Sequence, residues 1–120
     1  MANAHGLALA TMREWKWTPA EKSAAHRAFD LALSQELDAV VREAKERAAR
    51  ITETSELWEL ESWLGEQRRR IDGDFDFRYS VLPRVFAILL CTGHLKENDL
   101  HGIASDKLDA IRRMASRLAQ

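Results

Sequence analysis

The sequence predicts an all-α protein in which a long-helix stalk pairs with a second copy as a dimeric four-helix bundle and carries a small helical head. Three observations lead there: the span from Ala20 to Leu64 contains neither Gly nor Pro, an apolar stripe inside it recurs at helical spacing, and the first helix is too long for the domain it belongs to.

Residues 1–15 mix Ala, Asn, His and Gly without a sustained period and read as a flexible arm. That leaves 16–120 as one helical domain, with the stalk at about 18–71 and the head at about 74–119. The run Leu7 to Met12 is too short, and lacks the basic lead-in, for a secretory signal. A single cysteine, Cys91, excludes an internal disulfide framework and suits a reducing compartment. No stretch approaches the roughly 20 apolar residues of a membrane span, and a net charge of -1 supplies no overall field for nucleic acid or anionic lipid. A cytoplasmic protein with no membrane span and no nucleic-acid partner is expected.

The first helix starts at a capping box. Thr18 is an N-cap residue, Pro19 suits the first helical position and Glu21 lies three residues after the cap. From there Phe29, Leu33, Leu37, Val40, Ala44, Ala48 and Ile51 follow at spacings of three and four. The opposite face carries Glu43 with Arg47 and Glu46 with Arg50, the favourable i, i+4 order of a solvated surface. A single helix from Pro19 to Ile51 spans about 50 Å at ~1.5 Å per residue, whereas a compact 120-residue domain has a diameter of roughly 35 Å. The helix overhangs its own domain.

Thr52 to Ser55 is rich in cap residues and reads as the turn into a second helix, about 56–71, with Leu57, Leu60, Leu64 and Ile71 on one face. At some 25 Å it covers only half of the first stripe. Two such hairpins related by a two-fold axis cover each other's remainder, which is the physical reason for expecting a homodimer. Leu37, Val40, Val41 and Ala44 then lie on the dimer face. Gly73 is expected to cap the second helix. Val81, Val85, Ile88 and Leu89 mark a third, with Pro83 in its first turn and its end near Gly93. Leu100, Ile103, Lys107, Ile111, Met114 and Leu118 mark one or two final helices, with a restart near Ser105 after Gly102.

Chemical motifs are weak. Asp72-Gly73-Asp74-Phe75-Asp76 resembles the start of a calcium loop, but Phe77 stands where the turn glycine belongs and Pro83 where the bidentate Glu belongs. Cys91 and His94 have a C-x-x-H spacing with His101 nearby, yet no second cysteine pair exists, and Cys91 in its apolar run reads as a buried structural residue. Nothing supplies a catalytic constellation. Neither a metal nor another cofactor is expected. Arg68-Arg69-Arg70 and Arg112-Arg113 lack aromatics arranged for base stacking and read as solvated helix faces. Trp58 and Trp63, five apart, lie on different sides of one helix, so one packs inside the hairpin and the other serves an interface.

Trp58, Leu60, Leu64, Arg68 and Ile71-Asp72-Gly73, then Arg78, Ser80-Val81, Phe86-Ala87 and Leu89-Leu90, resemble the central region of the fluorescence recovery proteins. The similarity runs back through Glu36-Leu37-Asp38, Phe29, His26 and Trp17 and forward to Asp106-Lys107 without a gap. It implies a non-enzymatic, cofactor-free helical homodimer whose partner is the photoactivated orange carotenoid protein. Binding speeds that partner's return to the resting orange form and ends quenching at the phycobilisome. A homodimeric interaction scaffold with a different partner is the alternative. The resemblance places Trp58 and Arg68 at the dimer interface, with Glu61 as the neighbouring carboxylate, since Ser62 stands where the family has an acid. It further implies that Arg84, Phe86, Lys107 and Ala110 engage the partner, Arg84 replacing an aromatic residue and Ala110 a basic one.

Overall fold

The computed structural model describes residues 12–120 and contains four α-helices and no strand among them: α1 Pro19–Ala49, α2 Thr54–Asp74, α3 Leu82–Cys91 and α4 Ser105–Leu118. Short 3-10 turns occur at Met12–Glu14 and Glu97–Leu100. The molecule measures 64 × 27 × 21 Å, an elongated body in which α1 and α2 project as a hairpin.

The capping box forms as the sequence predicts. Glu21 N–H donates to Thr18 Oγ1 at 3.1 Å, and Thr18 N–H donates to Glu21 Oε1 at 3.0 Å. These two bonds satisfy orphan donors at the start of a helix of 31 residues. The turn into α2 is closed by Glu56, whose Oε1 accepts from the N–H groups of Thr52 and Glu53 and from the Thr52 hydroxyl.

Burial divides α1 at Glu36. Its N-terminal half buries Glu21, Ala24, Ala25, Ala28, Phe29, Ala32 and Glu36. This alanine-lined face brings the Glu97–Leu100 turn and Gly102 close to the α1 backbone, and through side chains the main core joins Ala24 to Ala32 with Leu82, Val85, Phe86, Leu89, Leu95, Leu100, Ile103, Ile111 and Met114. The head therefore includes the first half of α1, a correction to the expected division at about 74. Beyond Glu36 no residue of α1 is buried, and only α2 pairs with it.

The link from α2 to α3 has no regular structure over 75–78 and turns over 79–81, and its alternate residues Phe75, Phe77 and Tyr79 pack against the core. Phe77 stacks on His26 with centroids 4.0 Å apart and meets Phe29 edge-on at 5.0 Å. Tyr79 packs on Trp17 at 5.5 Å. The aromatics that followed the supposed calcium motif are thus core material, and Asp72 and Asp74 sit in the last turn of α2. Gly73 lies inside that helix and not at its cap, because α2 runs on to Asp74. The expected flexible arm falls outside the described residues as far as 11. Its last part is structured: Met12 and Trp15 are half-buried, and Trp15 packs on Trp17 at 6.3 Å.

Among the described residues two glycines have positive φ. Gly93, at φ 83°, terminates α3 and lets the N–H groups of His94 and Leu95 both reach Leu89 O. Gly102, at φ 97°, passes so close to α1 that a Cβ would stand 3.0 Å from Ala24 Cβ. Gly102→Ala is expected to cost about 1–3 kcal/mol from backbone strain and this contact. Gly73→Ala, in open space within a helix, is expected to add about 0.5–1 kcal/mol. Urea unfolding of the two variants checks the opposite signs.

Candidate functional site

The uncovered stalk is the first candidate surface. On α1, Leu37 and Val41 are 45% and 50% exposed. On α2, Leu57, Trp58 and Leu64 are 46%, 58% and 40% exposed. Leu57, Glu61, Leu64 and Arg68 follow the helical period and share one face of α2. These large apolar side chains left to water along one hairpin make the stalk the candidate interaction surface. Val40 and Ala44 are half-buried at its margin, and Glu61 is exposed. The Arg68 side chain is 85% exposed, with Asp72 at 3.9 Å as a loose partner. Within one chain it neither snorkels along apolar surface nor pairs with Glu61.

The two tryptophans separate by environment as their spacing predicts. Trp63 is half-buried between the stalk helices, with the Arg47 guanidinium 4.6 Å above its ring and Glu43 holding Arg47 at 2.9 Å. Trp58 points outward, beside Ser55, Glu59 and Ser62.

The head places the expected partner residues differently. Arg84 is exposed on α3, but Phe86 and Ala110 are wholly buried. Lys107 is 9% exposed and its Nζ donates to Glu21 Oε1 and Oε2 at 3.0 and 2.9 Å. Phe86, Ala110 and Lys107 therefore lie under the surface and cannot touch a partner in this conformation. Phe86 and Ala110 follow the apolar periods of α3 and α4, so each faces the shared core. Glu21 also accepts the Ala104 N–H at 3.0 Å. Burial pushes its carboxyl upward, but the Thr18 and Ala104 N–H groups and the Lys107 ammonium outweigh that and hold it at about 2, against an ordinary 4.5.

A second buried carboxylate joins stalk to head. Glu36 of α1 receives Arg70 of α2 on Oε1 and His94, just beyond α3, on Oε2. Gln67 Oε1 steadies Arg70 at 2.7 Å. Burial raises the Glu36 carboxyl, and Arg70 first and His94 second more than offset it, so it ends below the usual carboxylate range. His94 is thereby committed to Glu36, and His101 to Arg27, whose Nη2 lies 3.1 Å from the His101 ring and donates to its carbonyl at 2.9 Å. Cys91 is exposed, against the expectation of burial, on a groove it shares with Leu90, Leu95, Arg112 and Ala115. The C-x-x-H spacing does not converge, and among the described residues no group of three or more His, Cys, Asp or Glu is gathered for a metal. In the basic runs, Arg70 and Arg112 are taken by carboxylates.

Glu36 is the buried, doubly paired carboxylate that the apolar stripe concealed. It lies four after Ala32 and seven after Phe29, on the alanine face, one residue before the stripe's Leu37. A charged residue in register with small apolar ones was the available signal.

A model of the photoprotection regulator fluorescence recovery protein matches residues 17–115. The chain belongs to the fluorescence recovery protein family. It is 37% identical over 102 residues to the fluorescence recovery protein of Synechocystis sp. (strain ATCC 27184 / PCC 6803 / Kazusa), covering 85% of this chain and 94% of that one. The solved structure of that Synechocystis protein superposes with TM-score 0.80, at 37% identity over 84% of this chain and 99% of its own. The Fremyella diplosiphon fluorescence recovery protein superposes with TM-score 0.79, at 36% identity over 85% and 99%. Family membership spans stalk and head together, so the buried Glu21–Lys107 and Glu36 clusters both lie within the matched region. No helix among the described residues is long and apolar enough to cross a membrane.

Proposed function

We propose that this family member is a cytoplasmic, non-enzymatic homodimer that binds photoactivated orange carotenoid protein and accelerates its return to the orange resting form, ending phycobilisome quenching. The observation that carries the reading is the strip of large exposed apolar side chains on the stalk of a fluorescence recovery protein. A second copy covers that strip, using Leu37, Val40, Val41 and Ala44 of α1 with Trp58, Glu61 and Arg68 of α2. In such a pairing Arg68 finds a carboxylate across the interface, Glu61 of the second copy being the available one, because its own chain offers only a distant Asp72.

The head contributes contact through Arg84, the one exposed residue of the four expected there, and Phe86, Lys107 and Ala110 act by holding the surface in shape. Acceleration requires that the protein bind the transition state between the two carotenoid-protein forms more tightly than the red form itself. A regulator that merely bound the red form would trap it.

The test adds the protein to photoconverted orange carotenoid protein in the dark and follows loss of red absorbance. A recovery rate that rises at least about tenfold at saturating protein is expected, a transition-state gain of about 1.4 kcal/mol. An unchanged rate with the dimer intact would replace this reading with a scaffold of the same fold acting on a different partner.

A further inference from the structure

We infer that Glu36, Arg70 and His94 form a clamp that sets the orientation of the head against α2, and that Glu36 is its positioning residue. The placement of Glu36 is the first argument. It is the last buried residue of α1, at the boundary where the helix leaves the head core and enters the stalk. No other carboxylate among the described residues accepts ion-pair partners from both α2 and the segment after α3.

The division of labour within the carboxylate is the second argument. Oε1 takes Arg70 and Oε2 takes His94, so neither contact can be replaced by the other. A carboxylate only accepts, and the His94 atom facing it is Nε2, so Nε2 carries a proton. The other ring nitrogen, Nδ1, lies 2.7 Å from Thr92 Oγ1, which fixes the ring plane from the head side. The turn that aims the imidazole is itself set by Gly93 at φ 83° and by the His94 N–H to Leu89 O bond of 2.9 Å. On the stalk side Gln67 fixes the guanidinium through Nε at 3.2 Å and Nη2 at 2.7 Å. Each arm of the clamp is thus oriented by its own element before it reaches Glu36.

The third argument is how little else joins α2 to the head. Ile71 is the only buried residue of α2, and no helix of the head packs broadly against that helix. The link that follows is held to α1 by Phe75 and Phe77, which leaves the direct bridge from α2 to the segment after α3 to side chains. The clamp supplies that bridge, and Arg84, on the same α3 that leads into the His94 turn, changes its direction relative to the stalk if the clamp opens.

The inference rests on the proposed role of the head as a contact face, but its test needs no partner. Cys91 is exposed and is the only cysteine, so it takes one spin label, and Glu66→Cys on the exposed surface of α2 takes the second. Labelled chains diluted into unlabelled protein isolate the distance within one chain. The native pair is expected to give one narrow distance distribution by double electron–electron resonance. His94→Leu, which fills space without donating, is expected to broaden or shift it about twofold or more in width, and His94→Gln, whose amide still donates, is expected to keep it narrow. A narrow, unshifted distribution in a folded His94→Leu protein overturns the clamp, since packing alone then holds the head. Broadening by both variants overturns it as well, because a retained donor would not have rescued it. Glu36→Gln adds a separate arm, expected to broaden the distribution because the amide NH2 that replaces one carboxylate oxygen faces a donor and cannot accept from it. Failure of carotenoid-protein recovery with the native distribution narrow would count against the proposed function and leave the clamp standing.

Discussion

Lys107→Ala is expected to lower the unfolding free energy by about 3–5 kcal/mol, because it leaves the Glu21 carboxylate buried without its cation. The Glu21 side chain is 6% exposed and that of Lys107 is 11%, so solvent does not substitute for the lost partner. Urea unfolding at fixed protein concentration checks the size of the loss, and an effect below about 1 kcal/mol would mean the pair is screened like a surface bridge. The pH dependence has a definite sign. Glu21 is held at about 2 in the fold, against an ordinary 4.5, so its stabilisation is complete above pH 4.5 and is lost as pH falls from there toward 2. The full displacement corresponds to about 3 kcal/mol. In Lys107→Ala the Thr18 and Ala104 N–H groups still favour the carboxylate, so the acid transition is expected to move upward in pH without vanishing. Lys107 acts on the fold through this pair: it sets the start of α4 on α1.

Trp58→Ala is expected to move the dimer toward monomer by about 2 kcal/mol per copy, the loss typical of a hot-spot tryptophan. A two-fold interface contains the residue twice, so the dissociation constant is expected to rise roughly a thousandfold. Leu64→Glu is expected to act at least as strongly, since it places an unpaired carboxylate at the centre of the α2 strip. Light scattering or sedimentation across micromolar concentrations reads both. The single-chain structure makes the reasoning sharp: Trp58 is 58% exposed and has little to lose within its own chain, so its removal is not expected to unfold the monomer. A native protein already monomeric at these concentrations would remove the dimer from the proposal. If Trp58→Ala and Arg68→Ala both leave the dimer unchanged, the interface lies on another face.

The buried head residues reorder the relation between resemblance and contact. Arg84 and Ala110, the two positions where the resemblance implies a departure from the family pattern, lie in unlike places. Arg84 changes an exposed side chain on α3, whereas Ala110 is fully enclosed between α4 and the core. The exposed change is the one able to alter which partner surface fits. Clamp and ion pair then act as supports, one holding the head to the stalk and the other holding α4 to α1.

Local and periodic features were legible in the sequence. Thr18-Pro19-Ala20-Glu21 states the start of α1 because a capping box is closed within four residues. The α1 stripe and the length of the helix predicted an overhang, and the 64 Å long axis is its result. Thr52 to Ser55, Gly93 and the restart at Ser105 mark boundaries for the same reason: turn and cap chemistry is decided by neighbours in the chain. That Trp58 and Trp63 face different surroundings followed from their five-residue spacing, and the packing decided that Trp63 is the inner one.

What the tertiary structure decided depends on residues far apart in the chain. Gly73 could not be told from a cap until Ile71 was seen to be buried and α2 to continue past it. Nothing near Phe75, Phe77 and Tyr79 in the chain marks them for packing, and only the faces of His26, Phe29 and Trp17 join them to the core. Cys91 read as buried because its neighbours are apolar, yet α3 is covered on one side and Cys91 is on the other. Glu21 and Lys107 are separated by 86 residues, and Glu36 and Arg70 by 34. A charged side chain is written in the sequence as a charge, and whether it is solvated or enclosed depends on which helix arrives to cover it. The sequence by itself determined the helices, the overhanging stalk and the family; only the packing of the head onto the alanine face of α1 determined that two of its acids are buried and that one of them, Glu36, ties the stalk to the head.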